Sequence, residues 1–160
     1  MFYLPRREVR ELLKDPDMRS SEKLIENIKK WEGYRAHAYK CPAGVWTIGY
    51  GHTKGVREGD VTTRDEADRM LRGDVYQAER TILNIPELST QGRFDAVCDF
   101  VYNIGYPQFR NSTLYKYIKG RKTDKQIQAE FRRWVYAGGV KLRGLVKRRE
   151  WEAQRWIEND

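Results

Sequence analysis

The stretch SEKLIENIKKWEGYRAHAYKCPAGVWTIGYGHT, Ser21 to Thr53, changes its hydrophobic period halfway along. Leu24, Ile25, Ile28 and Trp31 recur at helical spacing; Ser20 or Ser21 can cap the start, Glu22 lies in the first turn, and Gly33 stops the helix. From Gly33 to Gly59 the character is different. Six of the thirteen glycines (33, 44, 49, 51, 55 and 59) fall there, among Tyr39, Val45, Trp46, Ile48 and Tyr50. Glycines supply turns and aromatic or β-branched residues supply strands, so this part reads as a small antiparallel sheet of short hairpins.

Working outward, Thr63-Arg-Asp-Glu66 forms a capping box that opens a helix to about Leu83, with Ala67, Met70, Leu71, Val75, Ala78 and Ile82 on its apolar face. At about 1.5 Å per residue it spans roughly 30 Å, long enough to link two lobes. After Pro86 everything reads as helix. Gln91 to Tyr102 carries Phe94, Val97, Cys98 and Val101 at i, i+3, i+4 and i+7, which makes Cys98 a core residue. Ser112 caps a short helix through Ile118, and Thr123 with Gln126 forms a second capping box for a helix with Ile127, Phe131, Trp134 and Val135 inward, ended by Ala137-Gly138-Gly139. The last helix, about Gly144 to Ile157, is expected to bury Leu145, Val146, Ala153, Trp156 and Ile157. At the other end, Arg6 to Lys14 reads as a short appended helix stopped at Asp15-Pro16. The fold class is α+β, a small hairpin-containing N-terminal lobe joined by a long helix to a helical C-terminal lobe.

The 160 residues match one domain or two small lobes, and 39% hydrophobic with 12% aromatic content suffices for a core. No run of 18 or so apolar residues exists, and Met1 to Leu13 is studded with charges, so the reading expects neither a membrane span nor a signal peptide and a product made soluble in the cytoplasm. Cys41 and Cys98 cannot make a disulfide framework and read as free thiols. A zinc site from Cys41, Cys98, His37 and His52 matches no finger or ribbon spacing, so no metal is expected. The net charge is +8, and the excess sits between Lys119 and Arg149, where eleven Lys and Arg face only Asp124 and Glu130. Such a run favours a polyanion: nucleic acid, anionic lipid or the acidic polymers of a bacterial wall.

Chemistry points first to Glu32. It lies at i+4 from Ile28 and i+7 from Ile25, on the apolar stripe of its helix, in the last turn beside the negative end of the helix dipole. Burial and dipole both disfavour a carboxylate, and a carboxyl kept protonated near neutral pH is what protonating a glycosidic oxygen requires. Taken alone, Glu32 has a second reading, a salt bridge to an arginine of the last helix. The strip that follows ends in Thr47-Ile-Gly-Tyr-Gly-His52-Thr53, where Gly49 and Gly51 let the backbone approach a ligand and Tyr39, Trp46 and Tyr50 can stack on sugar faces or pack as hairpin core.

Glu32, then Cys41, then Thr47 followed by Ile48-Gly-Tyr-Gly-His52-Thr53, resembles the catalytic signature of the phage-type lysozymes (endolysins), glycoside hydrolase family 24. The likeness continues through Phe100-Val-Tyr-Asn103-Ile-Gly105, Asn111-Ser-Thr-Leu114, Phe131-Arg-Arg-Trp134 with Ala137-Gly-Gly139, and Gly144-Leu-Val-Lys-Arg-Arg149, from about Met18 to the C-terminus. The resemblance implies a muramidase that splits the β-1,4 bond between N-acetylmuramic acid and N-acetylglucosamine in bacterial peptidoglycan, in a cleft between lobes, without cofactor or metal. It implies Glu32, Cys41 and Thr47 as catalytic residues and Gly51, His52, Tyr102, Asn103 and Ser112 as substrate-binding. It implies residues 18–160 as one lysozyme-like catalytic domain, with lobes at about 18–62 and 85–160 linked by helix 64–83, and residues 1–17 as a helical extension. It also implies a monomer with no nucleic-acid partner and no stable membrane insertion. By analogy, the enzyme reaches the wall after a separate holin permeabilises the membrane.

The chain departs from the family pattern at Cys41, where many relatives carry Asp. A thiol is a poor anionic base at neutral pH and fits better a role in orienting water beside Thr47. Two other readings stand beside the lysozyme: a lytic transglycosylase, which uses one Glu and closes an anhydro ring, and a basic module that binds cell wall or nucleic acid without cleaving it.

Overall fold

The computed structural model describes residues 17–160, so the expected helix at Arg6 to Lys14 lies outside the described residues. They divide into two compact units: Glu22–Gln77, and the residues before Glu22 together with Ala78–Asp160. No helix among them is long and apolar enough to cross a membrane.

The first unit opens with α1 (Glu22–Glu32), which buries Leu24, Ile25 and Ile28. Gly33, at φ +70°, ends it by donating its N–H to the Lys29 carbonyl at 2.9 Å. Strands β1 (Arg35–Lys40) and β2 (Trp46–Gly49) then pair antiparallel, with Tyr39 opposite Thr47 and Lys40 opposite Trp46. Helix α2 (Arg64–Ile82) starts at the expected cap, the Glu66 N–H donating to Thr63 Oγ1 at 3.2 Å, while the Glu66 carboxylate accepts from the Thr62 hydroxyl instead of closing a full box. Gly49 at φ +64° sits over it, where a β-carbon would come within 2.9 Å of Ala67 Cβ. Ion pairs clamp α1 to α2: Lys29 to Asp68 at 2.6 Å, and Arg72 to both Asp68 (2.7 Å) and Glu22 (2.8 Å). Hydrogen bonds from Arg72 and then Lys29 hold the Asp68 carboxyl down at about 2.

The second unit is built around α3 (Gln91–Ile104), capped by Thr90 and buried at every position from Phe94 to Val101. Around it lie α4 (Tyr106–Arg110), α5 (Thr113–Lys119), α6 (Asp124–Arg132) and α7 (Arg143–Trp156). Phe100 meets Phe109, Phe131 and Trp134 edge-on, with centroids 5.4–6.0 Å apart. The short N-terminal segment joins this unit, since the Ser20 N–H donates to Glu79 Oε1 at 2.8 Å and the Ser21 N–H to Asp95 Oδ1 at 3.0 Å.

Two expectations fail in the second unit. The chain after Pro86 is not wholly helical, because β3 (Tyr136–Ala137) and β4 (Val140–Lys141) form a small hairpin across Gly138-Gly139, both at positive φ, so Trp134 and Val135 follow α6 instead of lying in it. Of the residues expected inside the last helix, Val146 in α7 and Ile157 just after it are exposed and Leu145 is half-buried, while the buried side includes Arg148, Arg149, Glu152 and Arg155. The reason is ionic. Arg148 makes a two-pronged bond to Asp99 at 2.8 and 2.9 Å, and Arg155 another to Asp95 at 2.8 and 3.0 Å, so α3 and α7 join through guanidinium–carboxylate pairs. Arg149 Nε lies 3.0 Å from Glu152 Oε2 but is misaligned for a hydrogen bond. Burial pushes the Glu152 carboxyl well above its usual range despite Arg149; as a neutral acid it can donate to the Asp99 carboxylate.

Candidate active site

Glu32 is the last residue of α1 and is exposed, which corrects the expectation that it is buried. The buried stripe of that helix ends at Ile28, one turn earlier, and what faces the Glu32 carboxyl is Gly51, a residue without a side chain. A β-carbon at Gly51 would lie 2.9 Å from Glu32 Oε2 and 3.3 Å from its carboxyl carbon, and the backbone there is at φ +82°. The backbone conformation demands glycine, and a β-carbon there would push the Glu32 side chain out of its present position. Gly51, expected to contact substrate, has this second task of leaving room for the acid.

The hairpin supplies the rest. Ile48 and His52 exchange both backbone hydrogen bonds at 2.9 Å, which folds Gly49-Tyr-Gly51 into a tight turn and delivers Gly51 to Glu32. At the opposite end of β2, Cys41 donates its N–H to the Val45 carbonyl at 3.0 Å and accepts at its own carbonyl from the Gly44 N–H at 2.8 Å, closing the loop from Cys41 to Val45. Thr47 is buried, and its hydroxyl donates to the Val45 carbonyl at 3.0 Å. Backbone hydrogen bonding from Val45, helped by Ala43 and the Thr47 hydroxyl, holds the Cys41 thiol below the usual thiol range, against the smaller effect of its partial burial. Cys41 and Thr47 thus share one backbone anchor, the Val45 carbonyl, which accepts from the Cys41 N–H and from the Thr47 hydroxyl. The other thiol, Cys98, is fully buried, and burial pushes its pKa up.

His52 is half-buried, with Nδ1 2.7 Å from Asp74 Oδ2. Asp74 lies on α2, and nothing in its neighbourhood in the sequence marks it. Tyr50 is no sugar platform: it is buried against Tyr34, centroids 5.5 Å apart, with the Lys29 ammonium 5.5 Å above its ring. Tyr39 and Trp46 remain partly open, paired with Arg35 and Lys40 at 4.3 and 5.4 Å.

In the other unit, Tyr102 and Asn103 are half-buried in the last turn of α3. Arg149 donates to Asn103 Oδ1 at 2.6 Å, and the Arg148 guanidinium lies 5.7 Å from the Tyr102 ring centre. The sequence reading counted both arginines in the basic run; the structure buries them and uses them to fix these two side chains. Ser112, expected to bind substrate, is buried and its hydroxyl is engaged: it donates to the Phe109 carbonyl at 2.6 Å and accepts the Tyr115 N–H at 3.0 Å, capping α5.

Residues 29–152 match the family model described as phage lysozyme. The endolysin of Acyrthosiphon pisum secondary endosymbiont phage 1 is 41% identical over 142 residues, covering 84% of this chain and 95% of that protein. Among solved structures, the endolysin from Escherichia coli O157:H7 phage FAHEc1 superposes with a TM-score of 0.78 at 30% identity, covering 89% of this chain and 95% of that one. The muramidase domain of SpmX from Asticaccaulis excentricus does so with a TM-score of 0.77 at 32% identity, covering 88% and 98%.

Proposed function

The chain belongs to the phage lysozyme family, and from that premise we propose that Glu32 is the acid with which it cleaves the sugar backbone of bacterial peptidoglycan. It is a glycosidase of the lysozyme or muramidase type and acts as an endolysin. The observation that carries the assignment is the carboxyl of Glu32 lying open at a helix end against a glycine that cannot cover it. The bond cleaved is the β-1,4 link between N-acetylmuramic acid and N-acetylglucosamine. Glu32 gives its proton to the bridging oxygen as the bond to the anomeric carbon breaks, and a water adds to that carbon and releases a proton in turn. Cys41 and Thr47, tied to one carbonyl, orient that water or steady the sugar cation. Tyr102 and Asn103, fixed by Arg148 and Arg149, hold substrate. The enzyme works as a monomer, made in the host cytoplasm and reaching the wall once a separate holin opens the membrane.

The mass of the released disaccharide tests the reaction. Addition of water gives a reducing sugar, whereas the transglycosylase, favoured only by the missing carboxylate at Cys41, gives an anhydro sugar lighter by one water. Anhydro product from the purified protein would overturn hydrolysis.

Cys41→Ser tests the middle residue. A hydroxyl can keep the contacts to the loop and to Thr47, so turnover should stay within about tenfold of the parent, and the parent profile should not rise through the thiol range. If a thiolate were base or nucleophile, the serine variant would lose more than about a hundredfold with its fold intact, and the geometric role would fall.

A further inference from the structure

Around Trp156, in the helical unit, lies a cavity of about 240 Å3 that contains none of the residues assigned to the reaction. Arg93, Arg121 and Lys122 line it, together with two acids, Glu87 and Asp124. Both acids are engaged. Glu87 holds Lys119 at 2.9 Å, and Asp124 accepts the Trp156 indole N–H at 2.9 Å with Arg93 at 3.6 Å. Arg121 and Lys122 are exposed and have no side-chain partner among the described residues. With Lys119 the cluster carries an excess of two positive charges. Arg93 is further steadied by the Trp156 ring, whose centre lies 5.0 Å from its guanidinium carbon.

The backbone adds an independent sign. Arg121, at φ +52°, is the one non-glycine residue at positive φ among the described residues. It follows the end of α5, where the Lys122 N–H reaches back to the Tyr117 carbonyl at 3.0 Å, the position glycine ordinarily fills. Gly120 stands one residue too early, at φ −80°. The chain thus keeps a side chain in a disfavoured conformation at the cavity wall, with glycine next door.

We propose that this cavity binds a phosphate-bearing anion, a phosphomonoester or polyol-phosphate group, through Arg93, Arg121 and Lys122. Two guanidinium forks and an ammonium offer several donors to the three oxygens of one phosphate, and the charge excess matches a dianion better than a single carboxylate. The binding goes beyond wall hydrolysis and does not depend on it.

The test is a titration of the 15N-labelled full chain with glycerol 3-phosphate and, separately, inorganic phosphate, at ionic strength held constant with chloride. The Trp156 indole N–H and the Lys122 amide should shift saturably. Arg121→Gly should weaken binding by at least about tenfold. It should melt no lower than the parent, because glycine relieves the left-handed strain, so the loss cannot come from unfolding. Co-sedimentation with vesicles carrying phosphatidic acid, a lipid phosphomonoester, separates the sources: binding that needs Arg121 assigns the site to lipid headgroups, and no vesicle binding beside glycerol phosphate binding assigns it to soluble phosphomonoesters. Shifts that do not saturate, that chloride alone reproduces, or that Arg121→Gly keeps in full would overturn the proposal.

Discussion

Wall lysis falls to a few per cent or less when Glu32 is replaced by Gln, while the melting temperature stays close to that of the parent. The amide keeps the shape of the side chain but cannot transfer a proton to the leaving oxygen, and general-acid catalysis contributes roughly a hundredfold to ten-thousandfold. Stability is spared because Glu32 is exposed, and isosteric surface changes usually stay within about 0.5 kcal/mol. That exposure makes the experiment clean, since activity lost by a protein that melts normally is lost chemistry. Turnover on purified peptidoglycan and a thermal melt are the two measurements. A Gln variant keeping more than a few per cent of parental turnover would mean that another group supplies the proton.

The second large effect is on stability. Arg148→Ala should destabilise the protein by about 3–5 kcal/mol, because it strands a fully buried Asp99 without its counter-charge. For a chain of this size that corresponds to a fall in Tm of roughly 10 °C. The pH dependence has a definite sign. In the parent, burial is the largest single influence and raises the Asp99 pKa, but the Arg148 charge, the hydrogen bonds from Glu152 and Arg148 and the Arg149 charge together outweigh it and hold the carboxyl below its ordinary value. Its contribution is therefore present above the unfolded pKa, near 4, and is lost as pH falls through the folded value. In the variant burial acts without that pairing, so the folded pKa moves above the unfolded one and the penalty is largest at neutral pH. The gap between parent and variant should narrow from pH 7 to pH 4. Urea melts at both values check it; a gap below about 1 kcal/mol at pH 7, or one that does not shrink, would show that water or a neighbouring charge compensates Asp99.

How much of this was legible in the sequence follows from what each pattern encodes. The stripe Leu24, Ile25, Ile28 fixed α1, and the glycines fixed the hairpin, because local periodicity and positive φ are decided within a few residues. Glu32 was found on the right helix for a partly wrong reason: spacing put it on the stripe, but the stripe had ended and Gly51 left it uncovered. Arg148 and Arg149 were counted in the basic run, because charges at helical spacing look alike whether they meet water or carboxylates. Asp95 and Asp99, four apart in the otherwise apolar stretch Phe94 to Val101 of α3, were the signal that could have placed the arginines inside. The β3–β4 hairpin, two residues per strand, was too short for any period to register.

The seam at Ser20 and Ser21 has a consequence for the order in which the molecule assembles. Ser21 reaches Asp95, 74 positions along the chain, and Ser20 reaches Glu79, so the helical unit must recruit a segment separated from it by the whole of Glu22–Gln77. Closing so long a loop is entropically costly and slows folding when it must happen in an open coil. The intervening residues are contiguous and carry their own clamp of Lys29, Asp68, Arg72 and Glu22, so they can condense first. Once they have, Ser21 and Asp95 are tethered through a folded body instead of a flexible coil. The hairpin-bearing unit that carries Glu32 is thus also the insert that divides the helical unit's chain, and its own folding shortens the loop that Ser20 and Ser21 must close.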